Sequence, residues 1–249
     1  MIHHENSAQT KREYDKWHAR RSLEEGESPA LHSWHHNVAR LIRVNNGQRV
    51  LEVGCGNGEF AAYLAKRFVN AQVVAVDFSQ EAIGIARGHH TRSPNLRFET
   101  SDATALAFDD RSFDCVVSCE CIEHVLEPQK MASEIFRVLR PGGAFHITTE
   151  NYFNGMALMW AKAIVTGVPI DTGSGTQPHE NFFLFWRVRR MLEKSGLSVR
   201  HTESDCFQWL MLPRVNPSTL CTVDFDNPFL KRVFRPFGRH FTFSGVRQD

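Results

Sequence analysis

From Arg49 onward, short apolar runs alternate with stretches that carry apolar residues on one helical face. Arg49–Val53, Gln72–Val76, Asn95–Thr100 and Phe113–Ser118 are each short and rich in β-branched or aromatic residues, and they predict buried strands. Between them Phe60, Leu64 and Phe68 recur at helical spacing, and Glu81–Arg87 reads as a helix capped by Ser79. Met131, Ile135, Val138 and Leu139 mark another helix. It is expected to stop at Pro141-Gly142-Gly143, with a strand resuming over Ala144–Thr149. Phe185, Val188 and Leu192 predict a helix up to Gly196, Leu197–Thr202 a sixth strand and His240–Val246 a last one. Such alternation predicts an α/β fold, with a mostly parallel seven-stranded sheet covered by helices on both faces.

Two regions depart from this rhythm. Residues 1–45 read as an N-terminal helical cap, with Tyr14, Trp17, His18, Trp34 and His35 among charges, ahead of a main domain over 46–249. Within that domain the pattern breaks at about 151–181 and again at about 205–238, which read as inserted lobes.

The length of 249 residues fits one α/β domain with additions, and 42% hydrophobic and 23% charged residues is ordinary globular composition. With 29 basic and 28 acidic residues the formal net charge is +1, so the chain lacks the basic footprint of a nucleic-acid binder. A local basic run remains at Lys231, Arg232, Arg235 and Arg239. None of the six cysteines forms a C-x-x-C pair, which points to free thiols in a reducing, cytoplasmic setting. The N-terminus has no apolar signal core, and the longest apolar segment, Met156–Val165, is far short of the ~20 residues of a membrane span.

The sharpest chemical signal is Val50-Leu51-Glu52-Val53-Gly54-Cys55-Gly56-Asn57-Gly58, a strand that runs into three alternating glycines and then a helix. Glycine lets the backbone turn sharply and approach a ligand closely, and a helix N-terminus behind it offers free N–H groups. Asp77, at the end of the second strand and 23 residues after Gly54, sits where a carboxylate accepts ribose hydroxyls, at a spacing of about 20 residues. An Asp there could equally cap the following helix. The glycines are spaced G-x-G-x-G, so no pyrophosphate need be cradled.

Over roughly residues 45–205 the chain resembles the class I S-adenosylmethionine-dependent methyltransferases, whose fold is a Rossmann-like sheet. The family's glycine turn matches Glu52 to Gly58, and its ribose carboxylate matches Asp77. Its adenine contact matches Asp102 with Ala103. Its later patterns match Phe113-Asp114-Cys115-Val116-Val117 and Leu139-Arg140-Pro141-Gly142-Gly143. The resemblance implies that backbone at Gly54 and Cys55, with Gly56 and Gly58 completing the turn, meets the methionine moiety. It further implies that Phe78 packs on adenine and that Cys119 offers main chain beside the sulfonium. Tyr14 and Trp17 would close over the cofactor as a lid, or else belong to a helix packed on the sheet edge.

Just past the fourth strand lies Glu120-Cys121-Ile122-Glu123-His124. Two carboxylates and an imidazole at the ligand end of a strand suit Mg²⁺ or Mn²⁺, with His179 as a fourth candidate ligand. E-x-x-E-H followed later by His resembles the ubiquinone-biosynthesis O-methyltransferases and the small-RNA 3′-terminal 2′-O-methyltransferases. In both, the resemblance implies a metal that binds vicinal acceptor oxygens and helps deprotonate one. His124 and Glu123 also read as a catalytic pair without metal, His124 being a base or a group that orients the acceptor. Glu150 and Asn151, past the fifth strand, point the same way. The resemblance places the lobes at 151–181 and 205–238 on the acceptor side. Their Tyr152, Phe153, Met156, Met159, Trp160, Phe182, Phe183, Phe207, Trp209 and Met211 suit a hydrophobic or planar small molecule. The expected activity is methyl transfer to a small molecule, on oxygen before nitrogen or carbon. An RNA 2′-O-methyltransferase and a cofactor-binding protein without transferase activity are the alternatives.

Overall fold

Along β1 (Arg49–Val53), Val50 and Leu51 point to opposite faces of the strand, and both are fully buried. A strand buried on both sides must be central and covered twice. The computed structural model describes residues 7–25, 31–91, 93–151, 178–179, 181, 183–205, 207–208, 222–223, 229, 233, 238 and 240–249. β1 pairs in parallel with β2 (Gln72–Asp77) and β4 (Phe113–Ser118). β2 pairs with β3 (Leu96–Thr100), and β4 with β5 (Leu139–Glu150), also in parallel. Beyond β5, β9 (His240–Arg247) runs antiparallel between β5 and β6 (Leu197–Asp205). The order β3-β2-β1-β4-β5-β9-β6 makes a seven-stranded, mostly parallel α/β sheet, as the alternation predicts. β7 (Phe207–Gln208) and β8 (Thr222–Val223) pair separately.

The two faces carry two cores. α2 (Ser33–Leu41), α3 (Glu59–Arg67) and α4 (Gln80–His89) cover Val50, Val73, Ala75, Cys115 and Val117. α5 (Pro128–Val138) and α6 (Phe185–Lys194) cover Leu51, Val53, Val116, Phe145, Ile147, Phe241 and Phe243. α1 (Ser7–Glu25) docks by polar contacts: its Asp15 Oδ1 accepts from Ser79 Oγ at 2.6 Å and from the Glu81 N–H at 3.3 Å. It thereby joins the Ser79 hydroxyl, which accepts from the Ala82 N–H, in capping α4. No described helix is long and apolar enough to cross a membrane. The expected apolar segment Met156–Val165, the candidate acceptor-side residues Tyr152, Phe153, Met156, Met159, Trp160, Phe182, Trp209 and Met211, and the basic residues Lys231, Arg232, Arg235 and Arg239 lie outside the described residues.

One boundary differs from the sequence reading. The helix ends at Val138, and the next strand already begins at Leu139 and runs through Pro141. Leu139 pairs with Phe113 and Ala144 with Cys115, so a register shift takes up the Pro-Gly-Gly residues between them. Proline lacks the ladder N–H and is tolerated at such an irregularity. Arg140 pins it from outside through Asp114 at 2.7 Å. The end of α5 is closed by Arg247 of β9, whose Nη1 donates to the carbonyls of Phe136, Arg137 and Leu139.

Two histidines, His146 buried and His35 half-buried, link this fold to pH. His146 on β5 is 5% exposed with Nδ1 2.9 Å from Ser244 Oγ, and burial pushes its pKa down to about 4. Burial pushes His35 of α2 down to about 3. Both are neutral when folded, whereas the unfolded chain takes up protons below the ordinary 6.5. Stability is therefore full above that value and falls as pH drops toward 4, by about 1.4 kcal/mol per unit for each group. Urea midpoints measured from pH 7 to 4 should fall, and His146→Gln should flatten the fall. An unchanged slope in that variant would remove His146 from the account.

Candidate active site

The first glycine turn begins where β1 ends. The N–H groups of Gly54 and Cys55 both donate to the Val76 carbonyl, at 2.8 and 3.0 Å. Gly54 and Gly58 adopt left-handed backbone, φ +79° and +87°. A Cβ at Gly54 would run into Cys121 Sγ, and one at Gly58 would lie 2.6 Å from the Phe98 ring, so only glycine fits either position. Asp77 ties the turn down, because its Oδ2 accepts the Gly56 N–H at 2.9 Å while Oδ1 accepts the Ser79 N–H at 2.9 Å. The helix cap itself is Ser79, and Asp77 accepts the N–H of that cap residue. Asp77 closes the local turn before α4, and it presents a carboxylate at the mouth of the glycine turn.

Glu52 lies under the turn, 2% exposed, and burial drives its carboxyl well above the ordinary range. Among the described residues its Oε2 is buried without a hydrogen-bond partner. A buried carboxylate in that state calls for a cation or a donor. The α-ammonium of S-adenosylmethionine is such a group, so Glu52, the glycine backbone and Asp77 fit that cofactor. Asp102 follows β3 and forms a tight turn, with Oδ1 accepting from the N–H and hydroxyl of Thr104 at 2.8 Å. Ala103 beside it is buried, Phe78 is half-buried next to Asp77, and Cys119 is buried at the end of β4.

α1 brings three residues to this edge. Tyr14 Oη donates to the His179 carbonyl at 3.2 Å. Burial, then the neighbouring Cys121, holds the Tyr14 hydroxyl above its ordinary value, so it remains a neutral donor. Trp17 packs edge-on against Tyr14 and against His18. His18 is buried with Cε1 facing Gly56. The positions of Asp15 and His18 carry no signal in a mostly charged helix; only the fold reveals them.

The residues of the E-x-x-E-H segment point in different directions. Glu120, at φ +47°, turns toward β9, and its Oε2 lies 3.1 Å from His240 Nδ1. Glu123 is 1% exposed; its carboxylate accepts from Thr149 Oγ1 at 3.0 Å and from the Glu150 N–H at 3.4 Å. Burial, then Glu120, pushes its pKa up. His124 Nδ1 lies 2.9 Å from the His179 carbonyl, the same oxygen that Tyr14 uses. Burial lowers the pKa of His124. His179 thus meets His124 through its main chain. The described residues that bring three metal-ligand donors within 4.8 Å of one another are Glu120, Glu150 and His240. His240 opens the last expected strand, but nothing in the sequence signals that an antiparallel strand would bring it beside the end of β5.

A family model described as a methyltransferase domain matches residues 51–147. The chain is 32% identical to the ubiquinone biosynthesis O-methyltransferase of Aeromonas salmonicida (strain A449) over 190 residues, 71% of this chain and 75% of that relative. It is 38% identical to the phthiotriol/phenolphthiotriol dimycocerosates methyltransferase of Mycobacterium tuberculosis (strain ATCC 25177 / H37Ra) over 111 residues, 45% of this chain. That match spans 40% of the relative's own length. Among solved structures, the [4+2]-cyclase SpnF superposes with a TM-score of 0.68 at 19% identity, over 98% of this chain and 97% of that one, which is a likeness of fold.

Removing Asp77 or neutralising Glu52 should strip hydrogen bonds made to charged groups, each about 1.5–3 kcal/mol. Calorimetric titration of S-adenosylhomocysteine should therefore show ~10- to 100-fold weaker binding for Asp77→Ala and for Glu52→Gln, with circular dichroism unchanged. Wild-type affinity in both variants would sink the assignment of this turn as the cofactor site.

Proposed function

Since this chain belongs to the class I S-adenosylmethionine-dependent methyltransferases, we propose that it transfers the cofactor's methyl group to an oxygen of a small-molecule acceptor, with His124 taking the acceptor's proton. The observation that carries this reading is the contact between His124 Nδ1 and the His179 carbonyl at 2.9 Å. A carbonyl only accepts, so Nδ1 holds the proton and Nε2 is left as the basic nitrogen. The lowered pKa keeps the ring neutral near pH 7, as a base must be.

When bound, S-adenosylmethionine supplies an electrophilic methyl on a sulfonium that is already a good leaving group. The protein's tasks are then to align the acceptor, exclude water and accept a proton. Glu52, Gly54, Cys55, Gly56, Gly58 and Asp77 bind the cofactor in this reading, with Phe78, Asp102 and Ala103 at its adenine end. Cys119 provides main chain beside the reacting centre, and Tyr14 and Trp17 cover it. Glu123 acts as a positioning residue. Its carboxylate holds the end of β5, and its carbonyl accepts the Asn181 N–H at 2.6 Å, which fixes the segment that carries the His179 carbonyl.

The Aeromonas relative, by its name an O-methyltransferase of ubiquinone biosynthesis, supports a small-molecule oxygen acceptor. The near-neutral charge supports it over RNA. The cyclase of the same fold shows why turnover must be measured, since this fold hosts other chemistry. Incubation with labelled S-adenosylmethionine and a panel of phenols, catechols and carboxylic acids should give an O-methylated product. His124→Ala should lower kcat ~10²- to 10⁴-fold and leave S-adenosylhomocysteine affinity within about twofold. Because the His124 pKa is lowered, kcat should hold down to pH 6.5 and fall only below it. A flat acid limb, or full turnover in His124→Ala, refutes the base. Binding without turnover on any acceptor refutes the transferase reading.

A further inference from the structure

Three ligand-type side chains meet where the parallel strands end, each in or beside a different strand. Glu120 follows β4, Glu150 ends β5 and His240 begins β9, and they bring one donor atom each within 4.8 Å of one another. We propose that Glu120, Glu150 and His240 bind one divalent cation of the Mn²⁺ class on the acceptor side of the site, where it would take an oxygen of the acceptor as a further ligand. What the ion does there rests on the methyl-transfer reading above; that it binds does not.

The geometry fits a coordination site. Two ligands about 2.1–2.2 Å from a metal and at right angles to each other lie roughly 3 Å apart. His240 Nδ1 and Glu120 Oε2 are 3.1 Å apart. The donor set is hard, two carboxylates with a single imidazole. That suits Mn²⁺ better than Ca²⁺ or Mg²⁺, which take oxygen, and falls short of the four N or S ligands of structural Zn²⁺.

The donors are also held independently of one another. Glu150 and His240 are direct partners in the β5–β9 ladder, so the sheet itself fixes their spacing. The Glu120 N–H donates to the carbonyl and the hydroxyl of Thr148, which ties the third ligand to the same strand. Trp34 of α2 packs against the His240 ring, centroids 4.7 Å apart, and sets its plane. The His240 side chain is 5% exposed and that of Glu120 14%, while Glu150 is half-buried.

This site is not the one spelled by E-x-x-E-H. Of that segment only Glu120 contributes, since Glu123 is engaged by Thr149 and the Glu150 N–H, and His124 by the His179 carbonyl. The two sites therefore separate by mutation.

The full chain, stripped with EDTA and without acceptor, should bind one Mn²⁺, read by loss of the free-ion electron paramagnetic resonance signal and by calorimetry. Glu150→Gln and His240→Gln should each weaken Mn²⁺ at least ~10-fold, while Glu123→Gln stays within about twofold. Affinity for S-adenosylhomocysteine in all three variants reports that they fold. No Mn²⁺ binding by the wild type overturns the proposal, as does binding lost in Glu123→Gln but kept in His240→Gln. Mn²⁺ bound as described without methyl transfer to any oxygen would instead overturn the acceptor reading and leave this site standing.

Discussion

The Val76 carbonyl accepting two successive N–H groups, from Gly54 and Cys55, is the contact on which the cofactor side of this molecule depends. It fixes the exit of the central strand against its neighbour and forces the chain into left-handed backbone at once. That conformation is open to glycine and closed to other residues here, because Cys121 and Phe98 fill the space a Cβ would take. Asp77 then locks the turn from the adjacent strand end by accepting the Gly56 N–H. One carboxylate so couples the shape of the turn to the start of α4, and α1 reaches the same point through Asp15 and Ser79. Three backbone segments are thus pinned together beside the glycine turn.

The acceptor side has a different origin. All the parallel strands end at the same edge, where loops that follow them gather. β9 enters in the opposite direction, so its first residue, not its last, arrives there. That reversal sets His240 opposite Glu150 and within reach of Glu120, 120 positions earlier in the chain. Without the antiparallel pair His240 would not reach the strand ends where Glu120 and Glu150 lie.

This difference explains what could be read from the sequence. The glycine turn, Asp77, Asp102 and the five parallel strands are local patterns, and their spacing along the chain is their spacing in the fold. The capping role of Ser79 was legible for the same reason. The roles of Asp15, His18 and His240 were not, since each depends on a partner far away in sequence. Pro141-Gly142-Gly143 reads as a break, yet the strand passes through it, because a register shift against β4 absorbs residues that a regular ladder would reject. Motif reading also treats Glu120, Glu123 and His124 as one group, since they lie within five residues. The left-handed backbone at Glu120 and the short helical turn Ile122–His124 send them in different directions.

The burial of Glu52 bears on how the two sides work together. Burial drives the Glu52 carboxyl above its ordinary range, and a positively charged donor beside its unpartnered oxygen would favour the ionised form. α1 extends the coupling. Tyr14, on the helix that caps α4 beside Asp77, shares the His179 carbonyl with His124. Any ligand that settles α1 against the glycine turn also steadies the oxygen that fixes the tautomer of His124. For the base proposed above, the shared carbonyl links the orientation of the His124 ring to the seating of α1.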